Sequence, residues 1–270
     1  MNPEQSYINA FDLAARDYDD EFSNTWTGKA QRERVHYFLA KDLAKGILLN
    51  ILELNCGTGV DAIYLSGEGH NITAIDASPE MIRICKSKAD RYDTNKIKFI
   101  EADIKTFVSA EQQFDYIYSN FGGLNCLNQN ELRKLSASAA SWLKPGGRIS
   151  MVIMGRHCFT EMLYFLFKGK YKMIGRRNTN EATNVNVHGE LCETWYYSPT
   201  DIQNIFATEF TLVRYKPVGL FLPPSYLNNF YKAKPLLKKA ALKMEKTIGT
   251  FSWFANWSDH YFIELQKKSL

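Results

Sequence analysis

The stretch ILELNCGTGVDAIYLS, residues 51–66, joins an apolar run to a glycine-containing turn and then to a segment with helical periodicity. This order is typical of a buried strand that feeds a helix through a tight loop. Gly57 and Gly59 let a ligand approach the backbone closely, and the helix start offers free N–H groups. Because Gly57, Gly59 and Ala62 also satisfy the G-x-G-x-x-A spacing of dinucleotide sites, the loop alone leaves the ligand open.

The composition is that of an ordinary globular protein. The chain has 270 residues, of which 45% are hydrophobic and 23% charged, and its net charge is +4. This length buries a large core in one domain, or in one domain with an inserted cap. The mild charge gives no argument for a nucleic-acid partner, which usually requires a dense basic patch. The 17 Phe, 15 Tyr and 5 Trp favour either a large core or an apolar, ring-lined pocket.

The cysteines and the chain's start bear on its compartment. The five cysteines are odd in number and contain no C-x-x-C pair, which argues against a disulfide framework and a zinc site. No Asp/Glu/His cluster has metal-ligand spacing, so no metal is expected. The opening MNPEQSYINAFDLAARDYDD is acidic and polar, unlike a signal peptide, and no apolar run reaches the length of a membrane span. We therefore expect a cytoplasmic protein.

Strands and helices alternate along most of the chain. The predicted strands cover residues 50–55, 71–76, 97–102, 114–119, 148–155, 210–216 and 260–268. Helices are predicted at 4–45 (one or two), at 58–67, after Ser78, at 129–142, after Ser198 and at 222–246, and a hairpin is predicted at 185–198. This alternation predicts an α/β fold, in which a parallel sheet carries helices on both faces.

The rhythm changes after residue 156, where aromatic and basic segments appear. We interpret residues 157–200 and 218–257 as substrate-cap elements inserted in a single domain of residues 1–270. Their rings indicate an apolar or aromatic acceptor, although packing of the cap onto the sheet also explains them. These rings are Phe159, Tyr164, Phe165, Phe167, Tyr196, Tyr197, Phe221, Tyr226, Phe230 and Tyr231.

Five motifs follow one another in a specific order. They are LELNCGTG, ITAIDASPEMI, FIEADI, FDYIYSNFGGLN and LKPGG, one for each of the first five strands. Over roughly residues 10–155 and the last two strands, the chain resembles class I S-adenosylmethionine-dependent methyltransferases of the small-molecule type. The resemblance implies a Rossmann-like, seven-stranded sheet that is mostly parallel with an antiparallel last strand. It also implies that the cofactor is S-adenosylmethionine and that helices in residues 1–47 cover its site.

Acidic residues around the loop favour S-adenosylmethionine over NAD. Glu53 precedes the loop, where it would oppose a pyrophosphate but tolerate a cationic amino-sulfonium ligand. Asp76, at the end of the second strand, can accept both ribose hydroxyls of either cofactor. The resemblance further places Asp103 at the adenine amino group, Ile104 beside the ring and Asn120 at the methionyl end.

The resemblance thus predicts a set of cofactor-binding residues. The set is Tyr18, Glu53, Asn55, Gly57, Thr58, Gly59, Asp76, Ala77, Met81, Asp103, Ile104, Asn120 and Phe121. Simpler roles compete for four of them: Asp76 and Asp103 are also suited to capping helices, Tyr18 to packing on the core, and Asn120 to acting only through its backbone.

Methyl transfer requires mainly positioning of the acceptor, since proximity and orientation supply much of the rate. A hydroxyl or amine acceptor also benefits from a general base. Our candidate bases are His188, in the alternating segment, and His157, just past the fifth strand at the edge where α/β sheets bind ligands. Asn125, Tyr196 and Tyr197 are the predicted substrate-binding residues.

The acceptor class is constrained by what the fourth motif lacks. SNFGGLN has no prolines, unlike the N/D-P-P-Y/F motif of nucleic-acid amino-methyltransferases, so no nucleic-acid substrate is expected. KGKYKMIGRR (168–177) and KAKPLLKKAALKMEK (232–246) are basic and partly apolar. They indicate a solvated helix face, or peripheral attraction to an anionic membrane or to a carrier-bound acyl substrate.

The predicted function is S-adenosylmethionine-dependent methylation, on O or N, of a small apolar or aromatic molecule, lipophilic or carrier-bound. The alternatives are a nucleotide-cofactor oxidoreductase and a non-catalytic S-adenosylmethionine-binding protein. The sequence gives no oligomeric state.

Overall fold

A computed structural model of the protein describes residues 3–41, 43, 46–92, 95–224 and 234–269. Its main sheet has seven strands in the order β3-β2-β1-β4-β5-β9-β8. The strands are β1 (Asn50–Leu54), β2 (Asn71–Asp76), β3 (Ile97–Glu101), β4 (Phe114–Ser119), β5 (Leu143–Met154), β8 (Phe210–Val218) and β9 (His260–Lys267). Neighbouring strands from β3 to β5 run parallel, and β9 runs antiparallel to both β5 and β8. The predicted Rossmann-like sheet is confirmed.

The helices and a second, smaller sheet surround this main sheet. The hairpin is formed by β6 (Thr183–Val187) and β7 (Glu190–Thr194). The α-helices are α1 (Pro3–Ala14), α2 (Trp26–Leu39), α3 (Val60–Gly67), α4 (Pro79–Ala89), α5 (Gln129–Trp142), α6 (Phe159–Phe167), α7 (Pro199–Phe206) and α8 (Pro235–Thr247). A π-helical turn, Asp19–Ser23, joins α1 to α2, and 3₁₀ turns cover Gly123–Cys126, Tyr171–Met173, Ile248–Thr250 and Ser252–Trp257.

The core lies on both faces of the sheet because successive strand residues point to opposite sides. In β1, Ile51 packs in one cluster with Val35 of α2 and Leu65 of α3. Its neighbour Leu52 packs in the other cluster with Leu132 of α5. The sheet is therefore covered on both sides, and its functional groups gather where the parallel strands end.

Several boundaries differ from the sequence prediction, among them the starts of α3, β5 and α8. Helix α3 begins at Val60 because the preceding Gly59 has a left-handed φ of 78°, which a helix does not accommodate. Strand β5 begins at Leu143, five residues earlier than predicted, because Leu143 pairs with the start of β4 ahead of a register irregularity. Residues 222–224 are not helical, and the helix of this region begins at Pro235.

Part of the predicted cap, residues 225–233 with Tyr226, Phe230 and Tyr231, lies outside the described residues. Among the residues that the structure describes, no helix is both long and apolar enough to cross a membrane. The same part of the chain contains no group of three or more His, Cys, Asp or Glu side chains placed to hold a metal ion.

Candidate cofactor and acceptor site

The loop after β1 is built from left-handed residues. Asn55, Gly57 and Gly59 have φ values of 48°, 55° and 78°. A Cβ atom on Gly59 would lie 2.8 Å from the Cys85 sulfur, so only glycine lets the loop pack on α4 there. A Cβ on Gly57 would meet only the Tyr18 ring, at 3.9 Å. The loop is therefore tightly seated at its second glycine and more open at its first.

Asp76 ties this loop to the end of β2. Its Oδ2 accepts a hydrogen bond from the Gly57 N–H at 2.8 Å, and its Oδ1 accepts one from the Ser78 N–H at 3.0 Å. Burial raises the pKa of Asp76 to about 6, although both amide hydrogen bonds oppose that shift. The carboxylate thus fixes the loop and keeps further oxygen lone pairs for a ligand hydroxyl.

The N-terminal segment lies over the loop. The Thr58 hydroxyl donates to Asp19 Oδ1 at 2.6 Å, and Lys88 also pairs with Asp19. On α1, Asp12 accepts from the Ser78 hydroxyl at 2.5 Å, beside the start of α4. The Tyr18 ring faces Gly57. These contacts place α1 and the π-helical turn on the ligand side of the loop; that they cover a bound cofactor stays a prediction.

Asp61 is the centre of a buried network that the sequence analysis missed. Its side chain is 5% exposed; Oδ1 lies 2.7 Å from His36 Nε2 and 3.2 Å from Arg32 Nε, and Oδ2 accepts from Asn120 Nδ2 at 2.7 Å. Burial alone would raise its pKa, but Arg32 and His36 hold the pKa of Asp61 well below its usual range. The sequence does contain a clue to this network, because Arg32 and His36 stand four residues apart and so share one face of α2.

The ends of β1 and β4 are joined through amides. Asn55 Nδ2 donates to the Asn120 carbonyl at 3.0 Å, and Asn55 Oδ1 accepts from the Ser119 hydroxyl at 2.6 Å. The Asn120 side-chain amide is bound to Asp61. The predicted contact of Asn120 with the methionyl end of the cofactor would therefore use its backbone atoms, or its side chain would have to leave Asp61. That contact stays a prediction.

The surroundings of the Glu53 side chain test whether the predicted cofactor fits this site. The side chain is buried, and Oε2 has no hydrogen-bond partner among the residues that the structure describes. Burial, with the nearby Asp61 charge, raises its pKa well above the usual range for a glutamate. The hydroxyl of Tyr118, which is in register with Glu53 on the next strand, is likewise unpartnered. A buried acceptor without a donor is costly, and a cationic amino group would satisfy it. The acidic pair Glu53 and Asp76 therefore fits an amino-sulfonium nucleoside.

The remaining predicted cofactor residues lie beside this edge. Asp103 Oδ1 accepts from Lys105 N at 2.8 Å and its carbonyl accepts from Phe107 N at 2.8 Å, so it also stabilises the turn after β3. Ile104 is partly buried against the core, and Met81 is buried on α4. Their contacts with an adenine ring, and that of Ala77, stay predictions.

Two predicted substrate residues have structural partners instead. Asn125 is fully buried: Nδ2 donates to the carbonyls of Trp195 and Met154 at 2.6 and 3.2 Å, and Oδ1 accepts from Met154 N at 2.8 Å. Tyr197 lies in the core and donates to the Leu127 carbonyl at 2.7 Å. This arrangement does not support substrate contacts for either, because their polar atoms bind the backbone.

The two candidate bases lie apart from the loop. His188 occupies the hairpin turn with φ 49°, and its Nε2 lies 3.1 Å from Glu21 Oε2. The His157 ring stacks on Trp257 at 5.2 Å between centroids, and burial together with the adjacent Arg156 lowers the pKa of His157. Their role as bases stays a prediction.

His260 is a third imidazole, and the sequence analysis overlooked it. It begins β9 and pairs in register with Met154, the last residue of β5. Its ring meets Phe121 edge-on at 5.4 Å, and its Nδ1 lies 3.1 Å from Asp259 Oδ2. The signal was available, because an antiparallel strand begins at the edge where its parallel neighbours end.

A buried ion cluster joins the cap to the sheet beside His260. Arg177 Nη2 donates to Glu161 Oε2 at 2.8 Å and to Asp259 Oδ1 at 2.9 Å, and its guanidinium lies over the Tyr196 ring at 5.3 Å. Gln31 of α2 donates to Asp259 Oδ2 at 3.1 Å. Helix α6, the N-terminal helix α2 and the start of β9 thus share one polar cluster.

Comparison with known proteins identifies the domain around the loop. Residues 51–147 match the family model for a methyltransferase domain. A malonyl-[acyl-carrier protein] O-methyltransferase from Pseudescherichia vulneris is 27% identical over 153 residues, which are 57% of this chain and 55% of that protein. A ubiquinone biosynthesis O-methyltransferase from Coxiella burnetii (strain Dugway 5J108-111) is 24% identical over 181 residues, covering 63% of this chain and 73% of that one.

The fold likeness extends over nearly the whole chain. The solved DhpI–SAH complex superposes with a TM-score of 0.63 and 16% identity, covering 98% of this chain and 97% of that one. At this identity the likeness shows the fold. By contrast, the chain spans about half the length of the malonyl-[acyl-carrier protein] O-methyltransferases that it matches by sequence.

Proposed function

Since residues 51–147 match the model for a methyltransferase domain, we propose that the protein transfers a methyl group from S-adenosylmethionine to an oxygen atom of a small organic acceptor. The observation that carries this proposal is the acidic pair beside the glycine loop: Glu53 is buried, with Oε2 unpartnered among the described residues, and Asp76 is partly buried. The names of the relatives support oxygen as the methylated atom.

Residues at the carboxyl ends of the parallel strands would each bind a different part of the cofactor. Asp76 would accept hydrogen bonds from the ribose hydroxyls, and Glu53 would face the cationic end of the cofactor. The glycine at position 57 lets the ligand approach the backbone of the loop closely. The cofactor, when bound, supplies a methyl group already activated on a positively charged sulfur. Tyr18 and the π-helical turn exclude water from the loop, which strengthens every electrostatic contact inside it.

His260 is the proton acceptor in this proposal. Its Nδ1 lies 3.1 Å from Asp259 Oδ2, so Nε2 is the ring nitrogen turned away from the carboxylate and is the one proposed to accept the proton. With the cofactor bound, the S–CH₃ bond would break with its electron pair going to sulfur, and His260 Nε2 would take the proton released by the acceptor hydroxyl as the C–O bond forms. The contact of His260 with Phe121, next to Asn120, supports this role, since it puts the imidazole at the methionyl side of the predicted cofactor position.

The cap supports an apolar acceptor. Phe159 and Phe221 meet edge-on with ring centroids 6.4 Å apart, and Phe159 lies on α6, the helix that also carries Glu161 of the Arg177 cluster. Apolar rings with few polar groups suit a lipophilic or aromatic molecule. Residues 157–200 and 218–257 are therefore proposed to shape the acceptor pocket.

An acceptor panel tests the proposal directly. The purified protein is incubated with methyl-labelled S-adenosylmethionine and four probes: a catechol, a long-chain hydroxyquinoline, a fatty acid and malonyl-acyl carrier protein. We expect label on a hydroxyl-bearing lipophilic probe. Transfer to carboxylates alone would contradict the proton-acceptor role of His260, since a carboxylate carries no proton to remove. Cofactor binding without transfer to any probe would favour the non-catalytic alternative.

Replacing His260 by asparagine is expected to lower kcat on a hydroxyl acceptor by about 10²- to 10⁴-fold, the usual contribution of a general base. The affinity for S-adenosylhomocysteine should change much less than kcat, because the ring contacts of His260 are with Phe121 and Asp259 and not with the glycine loop. His157→Asn and His188→Asn are the matched comparisons, measured by initial rates and calorimetry. If one of these two variants loses most of its activity while His260→Asn keeps the full rate, the general base is the histidine replaced in that variant.

A further inference from the structure

Helix α8 and the turns after it present a surface that the methyl-transfer reaction does not use. We call it the α8 surface. Its exposed apolar side chains are Leu236, Leu237, Met244, Ile248, Phe251, Trp253 and Trp257, and its exposed lysines include Lys239, Lys243 and Lys246. Leu236 and Trp253 are 83% and 81% exposed. Large apolar side chains on consecutive elements, rimmed by charge, mark an interaction site.

The inner side of α8 explains why its outer side is so basic. Ala241 and Glu245 are buried against the protein. The Glu245 carboxylate accepts from the N–H groups of Gly219 and Phe221 at 2.8 and 2.9 Å. Glu245 is the one acidic residue in the helix sequence PLLKKAALKMEKT. With that charge turned inward, the outward side carries positive charge only.

The apolar and basic side chains are ordered along the helix. Leu237, Met244 and Ile248 stand seven and four residues apart, which places them on one flank. Lys239 and Lys246, also seven residues apart, follow the other flank. The turns after the helix add two more exposed apolar side chains, Phe251 and Trp253, of which Phe251 is 62% exposed. Lysines beside leucines and a protruding tryptophan are the composition of an interfacial amphipathic helix.

We propose that the α8 surface docks on an anionic lipid surface. Lysines near such a surface each contribute about 1 kcal/mol of attraction, while tryptophan and leucine side chains enter the boundary between headgroups and acyl chains. Trp257 stacks on His157, just past the end of β5, so docking brings the acceptor end of the site towards the lipid. Delivery of a lipophilic acceptor by this route rests on the proposed function; docking itself does not.

Vesicle sedimentation at low salt tests the docking. The full chain is mixed with vesicles of pure phosphatidylcholine and with vesicles of equimolar phosphatidylcholine and phosphatidylglycerol. We expect the protein to pellet with the anionic vesicles and to be released at high salt, where charges are screened within a few ångströms. Lack of pelleting with anionic vesicles would overturn the proposal.

Two matched double variants separate this surface from net charge. Lys239→Gln/Lys243→Gln should lower partitioning roughly 30-fold, about fivefold for each lysine. Lys86→Gln/Lys134→Gln removes the same charge from exposed positions on α4 and α5 and should leave partitioning unchanged. Equal losses in both variants would overturn the proposal, as would binding of the same lysines to acyl carrier protein without binding to vesicles.

The aromatic part of the surface has its own variant. Trp253→Ala should weaken vesicle binding at low salt, because it removes an apolar contact, and the remaining binding should still be released by high salt, because the lysines are unchanged. Calorimetry with S-adenosylhomocysteine on each variant checks the fold and the cofactor site separately. Intact cofactor binding with no vesicle binding rejects the docking alone, whereas absent cofactor binding in the wild-type protein rejects the proposed function.

Discussion

Replacing Asp61 by alanine is expected to lower the free energy of unfolding by about 3 kcal/mol. Removing one partner of a buried ion pair typically costs about 3–5 kcal/mol, because the other charge is left without compensation. Here Arg32 and His36 lose their anion and Asn120 loses its acceptor. We expect the low end of that range, because the Arg32 side chain is 15% exposed and water can partly replace the lost carboxylate.

Urea unfolding followed by tryptophan fluorescence measures this loss, and Glu80→Ala is the control. Glu80 also occupies the first turn of a helix and also pairs with an arginine, Arg83, but this pair is largely exposed. Exposed pairs contribute about 0–1 kcal/mol. Since the pKa of Asp61 is lowered in the folded protein, its stabilisation is present above about pH 4 and is lost as the pH falls. Equal midpoints for Asp61→Ala and Glu80→Ala would contradict the network.

Replacing Asp76 by alanine is expected to weaken S-adenosylhomocysteine binding by about 100-fold or more. Each hydrogen bond to a charged group contributes about 1.5–3 kcal/mol, and the variant loses both the ribose acceptors and the anchor of Gly57 N–H. Asp115→Ala is the matched control, because Asp115 accepts from the Asn50 N–H at 2.8 Å at the opposite edge of the sheet. Calorimetry should show unchanged affinity in this control.

The pH dependence of binding gives a second measurement on Asp76. Its folded-state pKa of about 6 lies above the ordinary value of 3.8, so the contribution of this group to stability declines as the pH rises from about 4 to about 6. Binding follows the ionised form, and affinity should therefore fall as the pH drops below about 6. Asp76→Asn keeps one acceptor oxygen but cannot ionise. Its affinity should change less over this range, and an identical pH profile would contradict the role of the carboxylate.

Strongly periodic segments could be predicted from the sequence almost to the residue. Strands β2 and β4 and helix α5 have the predicted bounds, because each combines a clear apolar period with a sharp stop or a capping residue such as Asn128. The start of α3 was wrong by two residues. A left-handed glycine at the last loop position leaves no mark in an apolar pattern, so Gly59 was counted as helix.

The site was less predictable where it depends on several elements at once. Asp76 and the glycine loop follow one another along the chain, and local spacing was enough to find them. The Asp61 network joins α2, α3 and the end of β4, so it emerges only after these elements pack. Tyr197 shows the reverse error: an aromatic in the predicted cap lies in the core, because sequence composition does not separate pocket rings from packing rings.

Calorimetric titration of the wild-type protein with S-adenosylhomocysteine, and separately with NADH, tests the central claim most directly. The measurement is made at a pH above the pKa of Asp76, so that its carboxylate is ionised. The acidic pair Glu53 and Asp76 predicts binding of S-adenosylhomocysteine and none of NADH. Binding of NADH without binding of S-adenosylhomocysteine would contradict the account and return the glycine loop to the dinucleotide sites whose spacing it shares.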